Sequence, residues 1–194
     1  MERHVSPKIT LTRMAKDTNK EFQAALDSCR NIFVRKLNDY GASWRIMRPC
    51  SITDQIFIKA KRIRSIEIKQ CTKVGEGVLP EFMAIVNYGI MGLIQLTLPM
   101  TDSIDLSPEE ATQLYDRFAA ETFELMKRKN HDYDEAWRLM RVSSYTDFIL
   151  CKVERIKEIE HHKGETQVSE GIDSNYFDII NYAIFGVIKL NENL

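Results

Sequence analysis

The chain has 194 residues and a formal net charge of −1, with 44% hydrophobic and 28% charged residues. This balance is typical of a soluble globular protein, and it excludes a general electrostatic attraction to nucleic acid or anionic membranes, although local patches remain open. The four cysteines (Cys29, Cys50, Cys71 and Cys151) form no C-x-x-C pair and no zinc-type spacing, so we expect reduced thiols in a cytoplasmic protein.

The apolar spacing predicts helices from the first part of the chain onward. Residues 1–16 carry no apolar run, so we expect a flexible arm there and no signal peptide. A first helix is predicted from 17 to about 38, where apolar side chains recur every three or four residues. A short helix over 43–47 follows, and Thr53 is expected to cap a helix that runs to about 70.

Pro80 opens a further helix that ends near 98 and contains the longest apolar stretch of the chain. Asn87 and Gln95 interrupt this stretch, and a bilayer span needs about 20 predominantly apolar residues. We therefore predict a buried helix and no membrane partner. Residues 99–106 are the predicted linker, because the leading Pro99 cannot continue the helix before it.

The second half of the chain repeats these signals. Ser107 begins it with a capping box, in which the hydroxyl and a glutamate three residues later satisfy free amides at the helix start. Helices are predicted over 108–129, 134–140, 146–161 and 174–190, with Thr146 and Ser174 at the start of the last two. No segment alternates with period two, so no sheet is expected.

The chain is an internal duplication. Six of ten residues agree in the first of three paired windows, eight of fifteen in the second and six of ten in the third. The offset is 93 residues in the first two windows and 94 in the third. The paired windows are 39–48 with 132–141, 53–67 with 146–160, and 87–96 with 181–190.

The duplication predicts the architecture. We expect an all-α helical bundle built from two tandem repeats, 17–98 and 107–194, which together form one compact unit. A fused pair of this kind is expected to have pseudo-two-fold symmetry, as in a symmetric dimer. Assembly of the whole chain into a homo-oligomer is left open.

Polar residues that both copies keep are more informative than shared apolar ones, because bundle surfaces drift freely. Lys59 and Glu67 lie on the apolar face of their helix, and Lys152 and Glu160 repeat this in the second copy. Charged groups among apolar ones are costly unless they are paired or used. A buried ion pair and a functional site are equally good interpretations at this point.

The last helix of each copy is apolar almost all round, which places it in the centre of the bundle. Asn181 and Asp178 lie three residues apart on one side of it, whereas the first copy has Asn87 but Ala84. A carboxylate there needs a cation or strong donors. An interhelical hydrogen bond explains Asn181 well, and a functional role is the better explanation for Asp178.

The segment 129–141 is the strongest local signal. It gathers cations, a carboxylate and the rings of Tyr133 and Trp137 at a helix end. Arginine binds phosphate through two parallel hydrogen bonds, and tryptophan can stack on a base, so the mixture suits a nucleotide. A packing corner, with Trp137 as its anchor and Arg138 in surface ion pairs, explains the same residues.

These motifs resemble a known family. The order K-x-x-D-Y-x-x-x-W, then T-D with K-x-x-R-I, then E-x-x-D-x-x-x-x-D-x-x-N-Y is similar to the nucleotide modification associated domain 1 family, in two copies that cover nearly the whole chain. The second copy matches the last motif through Glu170, Asp173, Asp178, Asn181 and Tyr182. The resemblance implies a link to pathways that modify nucleotides or DNA bases.

The helical pattern also resembles the MazG-like all-α nucleoside triphosphate pyrophosphohydrolases. That resemblance implies carboxylates that hold Mg²⁺ against a triphosphate, with lysine and arginine on the phosphates. The chain departs from the pattern, because the E-E-x-x-E helix motif is missing and the first copy lacks an equivalent of Asp178. These gaps indicate divided roles for the two copies.

The leading hypothesis is a cytoplasmic nucleotide-binding protein linked to nucleotide metabolism or modification, with magnesium-dependent pyrophosphohydrolysis as a candidate activity. The catalytic candidates are Asp132, Lys152 and Asp178. The nucleotide-binding candidates are Tyr133, Trp137, Arg138, Arg155 and Asn181. The metal-binding candidates are Asp132, Asp147, Glu170 and Asp178.

The rival hypothesis is a non-catalytic interaction or scaffold protein, in which the shared polar residues tie the two copies together. A third and weaker hypothesis is contact with nucleic acid through four arginines, Arg45, Arg48, Arg138 and Arg141.

Overall fold

The computed structural model describes residues 17–71, 75, 77–165 and 170–192. Within these residues the chain has six α-helices, two short 3₁₀ helices and no strand, so the all-α prediction is confirmed. The α-helices are α1 (Thr18–Tyr40), α2 (Pro49–Lys69), α3 (Leu79–Thr97), α4 (Pro108–Tyr133), α5 (Val142–His161) and α6 (Ile172–Asn191), and the 3₁₀ helices are Ser43–Ile46 and Ala136–Leu139. The expected arm, residues 1–16, lies outside the described residues.

Two helix starts differ from the sequence-based expectation. Helix α2 begins at Pro49 and α5 at Val142, each one turn before the threonine that was expected to cap it. Thr53 and Thr146 therefore lie inside the helices, and both are fully buried. Their hydroxyl groups bond across the two copies instead, Thr53 with the Tyr176 hydroxyl at 2.7 Å and Thr146 with Glu67 at 3.1 Å.

A third start is also shifted. Helix α6 begins at Ile172 after Gly171, so Ser174 lies in its first turn and does not cap it. The capping box at Ser107 is confirmed, because its hydroxyl accepts from the Glu110 amide and the Glu110 carboxylate accepts from the Ser107 amide.

The helices form three layers. Helices α3 and α6 pack against each other in the centre, α2 and α5 lie together on one side, and α1 and α4 lie together on the other. Helix α1 also contacts α6, and α4 contacts α3, so the two copies share one hydrophobic core. Helix α3 is long and apolar enough to span a membrane by length and composition, but 61% of that window is buried inside the bundle, as predicted for a core helix.

Contacts between the copies occur in reciprocal pairs. The ring of Tyr176 lies over Gly92, and the ring of Phe82, the equivalent of Tyr176, lies over Gly186, the equivalent of Gly92. Arg64 pairs with Asp147, and the equivalent residues Lys157 and Asp54 approach to 3.9 Å. Reciprocal pairs of this kind are what a two-fold arrangement requires. They agree with the predicted pseudo-symmetry, which stays a prediction.

The linker is held by a buried arginine. Arg45 is 1% exposed, and its guanidinium donates to both carboxylate oxygens of Asp105, at 2.8 and 3.0 Å, and to the carbonyl of Pro99 at 2.9 Å. It also donates to the side chain of Gln95. This arginine therefore fixes the linker to the end of α3.

We predict that Gly92→Ala destabilises the fold. A Cβ atom at this position would lie 2.6 Å from two ring atoms of Tyr176, so α3 and α6 would have to separate. The expected loss in the free energy of unfolding is about 1–3 kcal/mol, measured by chemical denaturation. Gly77→Ala is the control, because nothing lies within 4 Å of a Cβ there. Equal stability of Gly92→Ala and the wild type would contradict the close helix approach.

Candidate functional site

The second copy contains a cavity of about 240 Å³ beside the C-terminal end of α4, the second 3₁₀ helix and α6. We call it the second-copy cavity. Most of its wall is apolar and aromatic, and its polar lining comes from a few side chains: Lys129, Asn130, Asp178 and Asn181, with Tyr133, Trp137 and Tyr182. Pockets with an apolar wall and a few converging polar groups are typical of small-molecule sites.

One carboxylate in this cavity is held by two lysines. Asp178 is 7% exposed and accepts from Lys129, and the Lys152 ammonium lies 2.6 Å from its other oxygen. Burial alone would raise the pKa of Asp178, but the two lysine hydrogen bonds outweigh it and hold the pKa below the usual value. Asp178 is therefore ionised at neutral pH, and Lys129 and Lys152 are fixed beside the cavity.

For the two inward-facing lysines, the sequence did not decide between a buried ion pair and a functional site. The structure gives each lysine an acidic partner on the last helix of its own copy. Lys59 lies 3.2 Å from Glu81, which also accepts from Arg62. In the second copy the partner of Lys152 is Asp178, one turn further along, and Asn175 stands at the position of Glu81. The glutamate on the same face, Glu67, instead contacts Thr146.

Asn181 is buried without a hydrogen-bond partner. It is 5% exposed, and neither its amide nitrogen nor its amide oxygen has a partner. Its equivalent Asn87 has both, because its nitrogen donates to the carbonyl of Cys29 at 3.1 Å and its oxygen accepts from Tyr115 at 2.8 Å. An unpaired buried amide costs about 1–3 kcal/mol, so the difference between the copies needs an explanation.

The sequence explains the unpaired amide oxygen. Tyr115, which satisfies Asn87, is on α4, and its equivalent on α1 is Phe22, which has no hydroxyl group. Phe22 is fully buried and packs against the rings of Phe123 and Phe185. Within the described residues, the amide of Asn181 is therefore unpaired beside the cavity that Asn181 lines.

Trp137 contributes a second unpartnered donor. It is 6% exposed, and its Nε1 has no hydrogen-bond partner. Phe185 stacks on its ring at 4.4 Å, with 9° between the planes, and the Arg138 guanidinium lies 4.3 Å from the ring centre. Because its ring is already stacked, the indole N–H is the unsatisfied group of this side chain. The packing therefore does not favour the expected role of Trp137 as a stacking platform for a base.

Arg138 is used to hold the chain together. Its guanidinium bonds Glu21 on α1, Glu135 at 2.6 Å and the hydroxyl of Thr18 at 2.7 Å, and it approaches Glu192 to 3.4 Å. Burial alone would lower its pKa, but these carboxylates raise it. Arg138 thus joins both ends of the described chain to the second copy, in agreement with the packing-corner interpretation of this segment.

The structure does not bring the four carboxylates of the expected metal site together. Asp178 lines the second-copy cavity, Asp132 is exposed beside His131, and Asp147 pairs with Arg64. Glu170 is exposed and lines a different cavity, against α5. In the described part of the chain no three histidine, cysteine or acidic side chains form a group that could hold a metal ion. The single carboxylate of the cavity, already neutralised by two lysines, does not fit a magnesium site by itself.

The remaining candidates line two separate cavities. Tyr133 lines the second-copy cavity and is 70% exposed. Lys152 lines a different and larger cavity of about 850 Å³ against α5, the α5 cavity, together with Arg155 and Glu170. Lys152 is linked to the second-copy cavity through its pair with Asp178, which lines that cavity.

Lys129 and Asn130, which line the cavity at the end of α4, were missed among the sequence-based candidates. Lys129 appears in the shared motif, and its retention in both copies was the available signal. Asn130 has an unpartnered oxygen, and its equivalent in the first copy is Leu37. A polar residue that replaces an apolar one at a helix end is visible in the sequence, but only the fold shows that it faces Asn181 and Trp137 across one cavity.

We predict opposite stabilities for two matched variants. Asn87→Leu leaves the buried Tyr115 hydroxyl without its acceptor, and it should lower the free energy of unfolding by about 1–3 kcal/mol. Asn181→Leu removes two unpaired polar atoms and leaves none behind, so it should be neutral or stabilising. Chemical denaturation of both proteins checks this, and an equal loss in both would show that Asn181 has a partner within the fold.

Comparison with known protein families gives two matches, one for each copy of the duplication. No characterised protein and no solved structure gave a significant match, so the likeness to MazG-like enzymes stays a prediction. The family model described as nucleotide modification associated domain 1 matches twice, over 36–96 and 129–190, which is more than half of the chain. The two matched segments include all but the last residue of each central helix, α3 and α6. The chain therefore belongs to the nucleotide modification associated domain 1 family, of which it carries two tandem copies.

Proposed function

We propose that the second copy binds a nucleotide, with the base in the second-copy cavity and the phosphate near Lys152. The observation that carries the proposal is the buried Asn181 amide, which has a free donor and a free acceptor in a cavity lined by aromatic side chains. A base edge presents a matching acceptor and donor side by side, and an asparagine amide pairs with such an edge through two hydrogen bonds. The family's association with nucleotide modification supports the same ligand class.

Two further groups support a base rather than an apolar ligand. The indole N–H of Trp137 is a free donor, and the Asn130 oxygen is a free acceptor, in the same cavity as Asn181. An apolar ligand would leave all of these groups unpaired, at a cost of about 1–3 kcal/mol for each. A heteroaromatic ring pairs with them while its faces contact the apolar wall.

The cations support a phosphate on this base. Lys152 contacts Asp178 in the second-copy cavity and also lines the α5 cavity with Arg155. A nucleotide whose base lies beside Asn181 would direct its phosphate toward these two side chains. Asp178 would then act as a positioning residue that holds Lys129 and Lys152 in place.

The proposal concerns binding, and pyrophosphohydrolysis remains the sequence-based hypothesis for activity. Magnesium enters as a variable of the experiment, because the described carboxylates do not form a magnesium site without the nucleotide. A triphosphate would bring its own oxygen ligands for the ion.

The test is calorimetric titration of the protein with nucleosides, 5′-monophosphates and 5′-triphosphates of each base, with and without magnesium. We expect binding of at least one nucleotide, weaker binding of its nucleoside, and a loss of about tenfold or more in Asn181→Leu, because a two-bond amide contact with a base contributes about 1–3 kcal/mol. Lys129→Met should also weaken binding, and Lys36→Met, the same change in the first copy, should not.

Two outcomes would contradict the proposal. Absence of binding across the whole panel would favour the interaction-protein hypothesis, and unchanged affinity in Asn181→Leu would place the base elsewhere. Product analysis of the triphosphate samples tests hydrolysis separately, because a pyrophosphohydrolase releases pyrophosphate and the monophosphate only when magnesium is present.

A further inference from the structure

The first copy has a cavity of its own, formed by residues equivalent to those of the second. This first-copy cavity, of about 300 Å³, lies beside the C-terminal end of α1, the first 3₁₀ helix and α3. A cavity of roughly 150 Å³ suffices for benzene, so the volume accommodates a ring with a substituent. Its chemistry differs from that of the second copy, and among the differences Leu37, Ala84 and Met91 replace Asn130, Asp178 and Phe185.

The first-copy cavity also has a buried donor without a partner. Trp44 is 6% exposed, lines the cavity, and has no hydrogen-bond partner at Nε1. Its ring meets Phe33 at 6.5 Å in a tilted arrangement, unlike the close stack on Trp137. The Asn87 amide is already satisfied by Cys29 and Tyr115, so this cavity does not offer a paired donor and acceptor to a base edge.

The charge of the first-copy cavity comes from one lysine. Lys36 is exposed at its lining and is the equivalent of Lys129, but Ala84 stands where Asp178 would neutralise it. The acidic residue of this copy is one turn away, at Glu81, where it pairs with Lys59 and Arg62. Within the described residues Lys36 has no carboxylate partner, so the cavity presents a cation to its ligand.

We propose that the first-copy cavity is a second binding site, for a small planar ring that carries an anionic group. The ring packs against the apolar wall, an acceptor atom of the ligand takes the Trp44 N–H, and the negative charge lies at Lys36. The site is chemically distinct from the proposed nucleotide site, because it lacks both the free amide and the carboxylate of the second copy.

The chain contains two tryptophans, one in each cavity, and this permits a direct test. The indole N–H signals in a ¹H–¹⁵N NMR spectrum report the two cavities separately, and the Trp137→Phe variant assigns them by loss of one signal. The probe is phenyl phosphate, with phenol as its uncharged counterpart and inorganic phosphate as the anion without a ring.

We expect phenyl phosphate to shift the Trp44 signal saturably, with an affinity about threefold to fivefold higher than that of phenol. A difference of this size corresponds to one charge pair between the phosphate and the exposed Lys36. Inorganic phosphate alone should not shift it. Lys36→Met, a change at an exposed position, should leave the fold intact and abolish the preference for phenyl phosphate over phenol.

Other results would overturn the proposal. A Trp44 signal that stays unshifted up to the solubility limit of the probes would show that the cavity takes no ring. An equal response to phenol and phenyl phosphate in the wild type, or a preference that survives in Lys36→Met, would show that Lys36 does not select an anion. The Trp137 signal is independent of these outcomes, so failure of the proposed nucleotide site is distinguishable from failure of this one.

Discussion

The close contact between α3 and α6 is the constraint on which the rest of the structure depends. Both helices are apolar almost all round, and glycines at Gly92 and Gly186 let an aromatic ring from the partner helix lie directly against the backbone. Such close packing leaves little freedom in the relative position of the two copies. The other four helices then cover this central pair, and each cavity lies where a central helix meets the end of an outer one.

A duplicated fold gives two equivalent positions for every residue, and the two copies have used them differently. In the first copy the buried asparagine is a structural residue, since Tyr115 and the Cys29 carbonyl satisfy its amide. In the second copy the equivalent residue, Asn181, has no hydroxyl partner, because Phe22 replaces the tyrosine. The central carboxylate likewise occupies different turns, at Glu81 in one copy and Asp178 in the other. The equivalent lysines Lys59 and Lys152 each pair with the carboxylate of their own copy. Asp178 lines the second-copy cavity, whereas Glu81 does not line the first-copy cavity.

The shared arginines illustrate why retention in both copies does not by itself indicate a ligand. Arg45 holds the linker through Asp105 and Pro99, and Arg138 holds α1 and Glu192. Both arginines keep a structural role, although their partners differ between the copies. The tryptophans beside them are different, because each has a buried N–H with no partner in the part of the chain that the structure describes. A buried polar group without a partner requires an explanation that retention alone does not, and the proposed ligands would supply it.

The sequence by itself determined the helical class, the duplication and most helix positions, because apolar periodicity, capping residues and prolines are local signals. It also identified Asp178, Lys152 and Asn181 as unusual, since polar residues on apolar helix faces are visible without coordinates. Local signals could not determine which partners these residues have. The starts of α2 and α5 were misplaced because Thr53 and Thr146 bond across the copies, and such bonds depend on the packing of distant segments. Only the tertiary structure decided that Asp132 and Asp147 lie apart from Asp178, that Arg138 is held by carboxylates, and that Asn181 is unpaired. Each of these arrangements depends on which side chains the α3–α6 contact brings within hydrogen-bond distance.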